Sequence, residues 1–558
     1  MVAVRADPGA RVIGHGPTGG DLGGGRYDGW VARPEDPHPS PVTSAVGLSD
    51  LASLVAPDPS AAPDPSAAPA PPVLRGPFHF EEPWIDGATV GLRYRIGADV
   101  AFTERVELPV ELPDTEAVAT AVRVLHLVAG VSYYKCVAPV PLMVPALSDP
   151  ERRLVEALYD EGLREFAYRN QIPIPLPVEL VEAAGSSSGP RPESSPGPRR
   201  GLAGVNGGGG ACAPGVSGGG DVASHAAEVE RTALVPIGGG KDSALVAAMV
   251  PGATLFAVNP VGAQVHLADS LGRDLVGARR TLDPRLRELV AEGVPNGHIP
   301  VTAITSAVSV LVAVALGCDD VLMGIERSAD EPSLITAEGT PVNHQFSKSQ
   351  RAELLLRDVF VPTGVRYLSL LRPLTELAIG AAVARRGLAA DIVSCNRVFT
   401  VWNENTSSRQ QRPCGECAKC LFTSLMVAPS SSPDEVAEHY GRALLDDPAH
   451  IGVVRDFWSE EKPFDCVGER LESAAAVALL AITEGWRDQV VVRELASEAE
   501  AFLAAAGAVP ADYLTVGDVG ALPVEYRDVV RALAPDLASV PGLVGSPGSP
   551  GSPGSERG

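Results

Sequence analysis

The feature that most constrains this chain is a run of three glycines set between a short apolar segment and a helical one. Ala233-Leu234-Val235-Pro236-Ile237 reads as a buried strand, Gly238-Gly239-Gly240-Lys241-Asp242-Ser243 follows at once, and a helix begins there. At such a junction, backbone N–H groups and a helix N-terminus can cradle phosphate oxygens. The glycines let the main chain approach an anion, and Lys241 and Ser243 add a cation and a hydroxyl donor. Two better-known loops are excluded. A Walker A loop needs Gly-Lys-Ser/Thr, and here Gly240-Lys241 is followed by Asp242, with Val235 where its first glycine belongs. A dinucleotide GxGxxG loop fails because Ser243 stands at the third glycine. An ordinary glycine-rich turn is the bland alternative, against which the Lys-Asp-Ser continuation argues.

Downstream, apolar strands alternate with helical stretches. Strands are expected at Thr254–Val258, Arg280–Leu282, Asp320–Gly324, Tyr367–Leu371 and Asp391–Cys395, and helices from about Thr302, over Ser347–Val359 and over Leu374–Arg385. This order predicts an α/β fold with a doubly wound parallel sheet. Its ligand belongs at the carboxyl ends of the strands, near the glycine turn.

Upstream, Thr89–Ile96 and Phe102–Leu108 alternate apolar and polar with period two, as antiparallel strands do. Amphipathic stretches follow Asp114 and Asp149-Pro150, so residues 76–183 read as a smaller α+β domain. The chain holds 58 Gly and 51 Pro, and they crowd into residues 1–75, 185–220 and 541–558. Such tracts carry too little apolar surface to offset ordering entropy. The expected layout is an unstructured head (1–75), the α+β domain, a flexible linker (184–224), a catalytic α/β domain (225–535) and a tail (536–558).

The net charge of −24 repels nucleic acid and anionic lipid. The N-terminus lacks the apolar core of a secretory signal, and the longest apolar run, Ala303–Cys318, is too short to span a bilayer and reads as a core helix. A cytoplasmic protein without membrane insertion is expected. Cys395 lies upstream of Cys414-Gly415-Glu416-Cys417-Ala418-Lys419-Cys420, so four thiols can converge on one ion. Structural Zn²⁺ is the usual occupant of such spacing. An iron–sulfur cluster or unliganded thiols stay open, although no Cys-Pro follows Cys420 as in the bacterial ferredoxin run.

The glycine loop resembles the Ser-Gly-Gly-x-Asp-Ser loop of the PP-loop ATP pyrophosphatase superfamily, with Gly238 in place of the first serine. That resemblance implies ATP cleavage between the α and β phosphates, pyrophosphate held by Gly238, Gly239, Gly240, Lys241 and Ser243, and Asp242 orienting the loop or helping to hold Mg²⁺. The Ser-Cys followed by CGxCxxC also resembles the zinc site of 7-cyano-7-deazaguanine synthases, with a longer spacer here. Further strings narrow the choice: Gly130–Lys135 (GVSYYK), Asn343–Ser349 (NHQFSKS), Leu371–Leu377 (LRPLTEL), Ser394–Arg397 (SCNR) and Pro463–Glu469 (PFDCVGE). Together they resemble the UDP-N-acetylmuramoyl-L-alanyl-L-glutamate epimerases of the MurL type.

The implied reaction converts the terminal L-glutamate of a UDP-muramoyl dipeptide to D-glutamate for peptidoglycan synthesis. Adenylating the glutamyl α-carboxylate removes its charge and acidifies the α-proton; a base takes that proton, an acid returns one to the opposite face, and water regenerates the carboxylate. His298, His344 and Cys466 are the candidate acid/base groups, with structural histidines and a buried inert thiol as the alternatives. Lys348 and Arg397 are candidate phosphate or carboxylate clamps or else surface charges. Tyr133-Tyr134-Lys135 is either part of a nucleotide-sugar pocket or a packed helix end. Competing functions are another PP-loop enzyme, of the deazaguanine nitrile or tRNA thiolase kind, and a nucleotide-binding module without catalysis.

Overall fold

The computed structural model describes residues 74–182, 231–398 and 412–541. The expected linker, nearly all of the expected head and the tail beyond Pro541 lie outside these residues. Strands β1 (Phe78–Asp86), β2 (Thr89–Ile96) and β3 (Val100–Glu107) form an antiparallel meander. Its alternation is as expected, with Val90, Leu92, Tyr94 and Ile96 of β2 all buried. Two short strands, β4 (Leu142–Val144) and β5 (Leu180–Glu182), extend the sheet in parallel beyond β1. The helix expected near Asp114 starts two residues later, at Glu116, where the Thr115 hydroxyl accepts the Val118 N–H at 3.3 Å. The stretch Glu116–Tyr134 is long and apolar enough to cross a bilayer, yet most of it is buried in the protein, as suits a core helix.

The second half supplies β6 (Ala233–Pro236), β7 (Thr254–Val258), β8 (Leu275–Thr281), β9 (Asp320–Met323) and, after a small hairpin of β10 (Leu334–Ile335) and β11 (Pro341–Val342), β12 (Arg366–Ser369). All ten strands outside the hairpin make one sheet in the order β12-β9-β6-β7-β8-β3-β2-β1-β4-β5. The strands from β12 to β8 are mutually parallel, and β8 meets β3 antiparallel. A buried charge pair marks that seam: Arg280 of β8 donates to Glu104 of β3 at 2.6 and 3.0 Å and to the Ser132 hydroxyl at 2.9 Å. The two halves also share a core. Leu234, Phe256 and Val321 of the parallel strands pack in the same cluster as Tyr94, Val122 and Tyr133, while Val235, Leu255 and Leu322 face the opposite cluster. This is period-two geometry in strands buried on both faces. The run read as a core helix is one, Val301–Leu316, with Gly317 closing it at φ +71°.

Two expectations change. Asp391–Cys395 is not a strand: it is irregular chain, attached to the glycine loop by a bond from Val393 N–H to the Gly239 carbonyl, 2.7 Å, and one from Lys241 N–H to the Ser394 hydroxyl, 3.4 Å. Ile392 and Val393 are apolar because they are buried there, not because they join the sheet. The ordered chain also continues past 535, through the helix Ala534–Ala538 to Val540, whose side chain is fully buried.

The strand order fixes where a ligand site can lie. From β6 the chain winds outward through β7 and β8, then returns to the other side of β6 for β9 and β12. The winding reverses at the carboxyl ends of β6 and β9, the crevice in which open α/β sheets bind ligands.

Candidate active site

Three carboxylates meet at that reversal, each delivered by the carboxyl end of a different strand. Asp242 follows β6 in the glycine loop, Glu326 follows β9, and Glu376 opens the helix Glu376–Arg385 beyond β12. Their nearest oxygens lie within 4.8 Å of one another. Gly324 permits this approach, since a Cβ there would stand 2.9 Å from the Asp242 main-chain carbon and oxygen. Gly239, at φ +81°, makes the bend that returns the loop to its helix.

Lys241 turns inward. Its side chain is fully buried, and its ammonium pairs with Asp242 and with Glu376 Oε2. Burial lowers its pKa, against the pull of Asp242. Asp242 is pushed up by burial but held below the usual carboxylate range by Lys241, Lys419 and Lys348. Glu326 is left over: it is fully buried, and neither carboxylate oxygen has a hydrogen-bond partner among the described residues. A buried group without a partner costs about 1–3 kcal/mol, and more when charged. The Ser243 hydroxyl staples the loop, accepting from Gly238 N–H at 3.1 Å and donating to the Gly240 carbonyl at 3.2 Å.

A second cluster adjoins the first. His344 Nδ1 lies 2.5 Å from Glu165 Oε2, and the same imidazole interacts with the Cys466 thiol. Burial works against charge on His344, yet the interactions with Cys466 and Glu165 raise it to about 10. Burial pushes the Cys466 thiol up, but the Lys348 ammonium and His344 outweigh that and bring it down to about 6. The two shifts run in opposite senses, and both favour a thiolate on Cys466 beside an imidazolium on His344. His298 lies against His344 with ring centres 4.2 Å apart and planes tilted by 36°, and burial, followed by the charge on His344, lowers it to about 3. It is the neutral member of the group. The turn carrying His344 is tied to the segment carrying Cys466 by Gln345 Nε2 donating to the Val467 carbonyl at 2.9 Å. Lys348 bridges the two clusters electrostatically, acting on Cys466, Glu326 and Asp242.

The four cysteines form a third cluster against the loop's other flank, their sulfurs within 4.8 Å of one another. Cys417 and Cys420 lie 3.5 Å apart and Cys414 and Cys420 3.8 Å. Hydrogen bonds from Cys417 and Cys420 lower Cys395, while bonds to Cys395 and Cys417 raise Cys420. Ser394, beside Cys395, accepts the Lys241 N–H at 3.4 Å, joining this cluster to the glycine loop.

The structure therefore gathers the loop residues, Lys348, His298, His344 and Cys466 into one region. Arg397 lies outside it, well exposed and paired with Glu416. Tyr133 and Tyr134 are fully buried among Phe78, Tyr94 and Phe102, the packed alternative. The Lys135 ammonium is spent on Asn296 Oδ1 at 2.5 Å, bracing the loop before His298. Sequence reasoning missed Glu165, Glu326, Glu376 and Lys419. Glu326 and Glu376 each follow a strand end at the reversal and were within reach of that rule, whereas Glu165 carries no local signal.

The family model described as the MurL N-terminal domain matches residues 74–212 and 216–370, and that described as the MurL C-terminal domain matches 391–509. The glycine loop, Glu326, His344 and Lys348 fall in the first match; Lys419, Cys466 and the four cysteines fall in the second. Three curated relatives carry the name UDP-N-acetyl-alpha-D-muramoyl-L-alanyl-L-glutamate epimerase. That of Salinispora tropica is 36% identical over 79% of this chain and 91% of its own length. That of a Micromonospora species is 38% identical over 78% and 91%, and that of Xanthomonas oryzae pv. oryzae 35% over 68% and 78%. No solved structure matches.

Proposed function

The chain belongs to the MurL epimerase family, and from that premise we propose that it converts the terminal L-glutamate of UDP-MurNAc-L-Ala-L-Glu to D-glutamate, cleaving ATP to AMP and pyrophosphate. The observation that carries this reading is the placement of a phosphate-type glycine loop beside His344, which is bound to Glu165 and tied to the Cys466 segment, with Lys348 acting on Asp242 of the loop and on Cys466. Adenylation needs the first and proton transfer at carbon needs the second.

In this reading the loop amides between Gly238 and Ser243 receive the departing pyrophosphate, and Lys241 locks the loop to Glu376 from beneath. Asp242, Glu326 and Glu376 fit a divalent cation, because Glu326 is a buried carboxylate with no partner of its own. Mg²⁺ bound there would neutralise phosphate charge during transfer. Four clustered thiols fit a tetrahedral zinc that serves structure. The glutamyl α-carbon enters between Cys466 and His344, which exchange their mutual interaction for its two faces. The Cys466 thiolate removes the α-proton and the His344 imidazolium, oriented by Glu165, returns one from the opposite side. The reaction takes place in the cytoplasm, where ATP and the nucleotide-linked precursor are both available.

Purified protein incubated with ATP, Mg²⁺ and the UDP-muramoyl dipeptide tests the proposal. Hydrolysis and chiral analysis should find D-glutamate, with AMP formed in step. D-glutamate without AMP would remove the adenylation, and AMP without D-glutamate would remove the epimerisation.

A further inference from the structure

A lysine set between two metal-type cysteines would ordinarily be a solvated surface charge. Lys419 stands between Cys417 and Cys420 and is only 7% exposed. Cys417 caps the helix Ala418–Val427, so the lysine lies in that helix's first turn, and its ammonium sits over the Phe422 ring, 5.2 Å from the ring centre, a cation–π contact that uses none of its N–H donors. The ammonium lies at the seam between the two reacting clusters. On one side it donates to the carbonyl of Cys466, the thiolate residue. On the other it lies 3.6 Å from Glu376 Oε1, while the other oxygen of that carboxylate holds Lys241 of the glycine loop.

An ammonium has three N–H donors. One goes to the Cys466 carbonyl, and 3.6 Å to Glu376 is beyond hydrogen-bond length. Among the described residues the other donors are not engaged in a hydrogen bond, so a buried cation retains capacity for a ligand. The position selects the ligand. In the reaction proposed above, one substrate group must touch both clusters, the glutamyl α-carboxylate. Its oxygen attacks the α-phosphorus of ATP, forming an O–P bond as the bond to pyrophosphate breaks. When the α-proton then leaves to Cys466, the C–H electron pair forms a C=C bond and the acyl C=O pair moves onto oxygen. This acyl oxygen is the carboxylate oxygen that does not attack phosphorus, and a fixed cation on it orients the carboxylate in the first step and stabilises the enolate charge in the second.

We propose that Lys419 is a substrate-contacting residue, its ammonium holding the glutamyl carboxylate oxygen through activation and deprotonation, and that the four-cysteine centre is the device that fixes it there. The cysteine centre is tied to the reaction from both ends: Cys417 and Cys420 bracket the lysine, and the chain entering Cys395 bonds the glycine loop through Val393 and Ser394. The proposal rests on the epimerase reading for the identity of the ligand.

The test is a coupling measurement by calorimetric binding. Two ligands are compared, UDP-MurNAc-L-Ala-L-Glu and its analogue with the glutamyl α-carboxylate replaced by a carboxamide, on the wild-type chain, Lys419→Met, Lys419→Arg and Cys417→Ser. The wild type should prefer the carboxylate by about tenfold or more, the range of a charge-assisted hydrogen bond. Lys419→Met should bind the two alike while keeping its metal content and melting temperature, Lys419→Arg should recover part of the preference, and Cys417→Ser should lose it. An undiminished preference in Lys419→Met, or no preference in the wild type, would overturn the contact. An undiminished preference in Cys417→Ser would overturn the positioning role of the cysteine centre. Turnover of the same wild-type protein without AMP or without D-glutamate would instead sink the epimerase reading, leaving the binding preference still measurable.

Discussion

Two groups of thiols flank Lys419, and the contrast between them shows how environment, not residue type, decides what a cysteine does. Cys395, Cys414, Cys417 and Cys420 face one another, their sulfurs within 4.8 Å, so the neighbours that count are thiols. Cys466 faces cations: Lys348 and His344 bear on its sulfur, and Lys419 holds its carbonyl. The first arrangement suits a soft metal ion bound by thiolates. The second suits a single ionised sulfur poised for proton transfer.

The largest expected effect that would break this contrast is catalytic. Cys466→Ala should lower kcat by about 10²–10⁴-fold, the usual contribution of a positioned acid or base, with metal content unchanged. Steady-state kinetics with metal analysis checks it, and a variant that lost its metal would mean that the two thiol groups are not separate. Next in size, Cys414→Ser should bring zinc from about one ion per chain toward none, with a lower melting temperature; unchanged zinc by mass spectrometry would count against the tetrahedral site. The third effect is on reactivity. Alkylation of Cys466 by iodoacetamide should follow a thiolate titrating at about 6, and His344→Asn should move the midpoint upward toward the ordinary thiol range. A midpoint that does not move would show that His344 does not hold the thiolate.

The smallest effect is on stability against pH. Cys466 is depressed in the fold, so its contribution is complete above the unfolded value of 9.0 and is lost as pH falls through about 6. His344 is raised, so its contribution is complete below 6.5 and is lost as pH rises through about 10. Together the pair stabilises most between those limits. Thermal melts of wild type and Cys466→Ala should therefore differ most near pH 7–9 and converge toward acid, while melts that stay parallel down to pH 4 would contradict the ion pair.

How much of this was legible in the sequence follows from distance along the chain. The glycine loop and the CGxCxxC run are contiguous, and the spacing that marks them is the spacing that makes them work. The parallel strands and their helices were legible for the same local reason. Glu165, His298, His344 and Cys466 come from four separate segments, so only the folded chain brings them together. Lys419 was hidden by its neighbours, since a lysine in a cysteine knuckle carries no sign of which way it points. The joining of β3 to β8 was equally silent, because each half reads as a complete pattern and the Glu104–Arg280 pair spans more than 170 residues. Asp391–Cys395 misled because an apolar run reports burial, and here burial comes from packing beside the loop, not from a ladder.

The central claim is that carboxylate activation at the glycine loop enables proton transfer at Cys466 and His344. Its most direct measurement is deuterium uptake at the glutamyl α-carbon in heavy water, with and without ATP and Mg²⁺. Uptake that requires ATP, with AMP formed alongside and both lost in Cys466→Ala or only the former slowed, is the expected result. Uptake at full rate without ATP would contradict it.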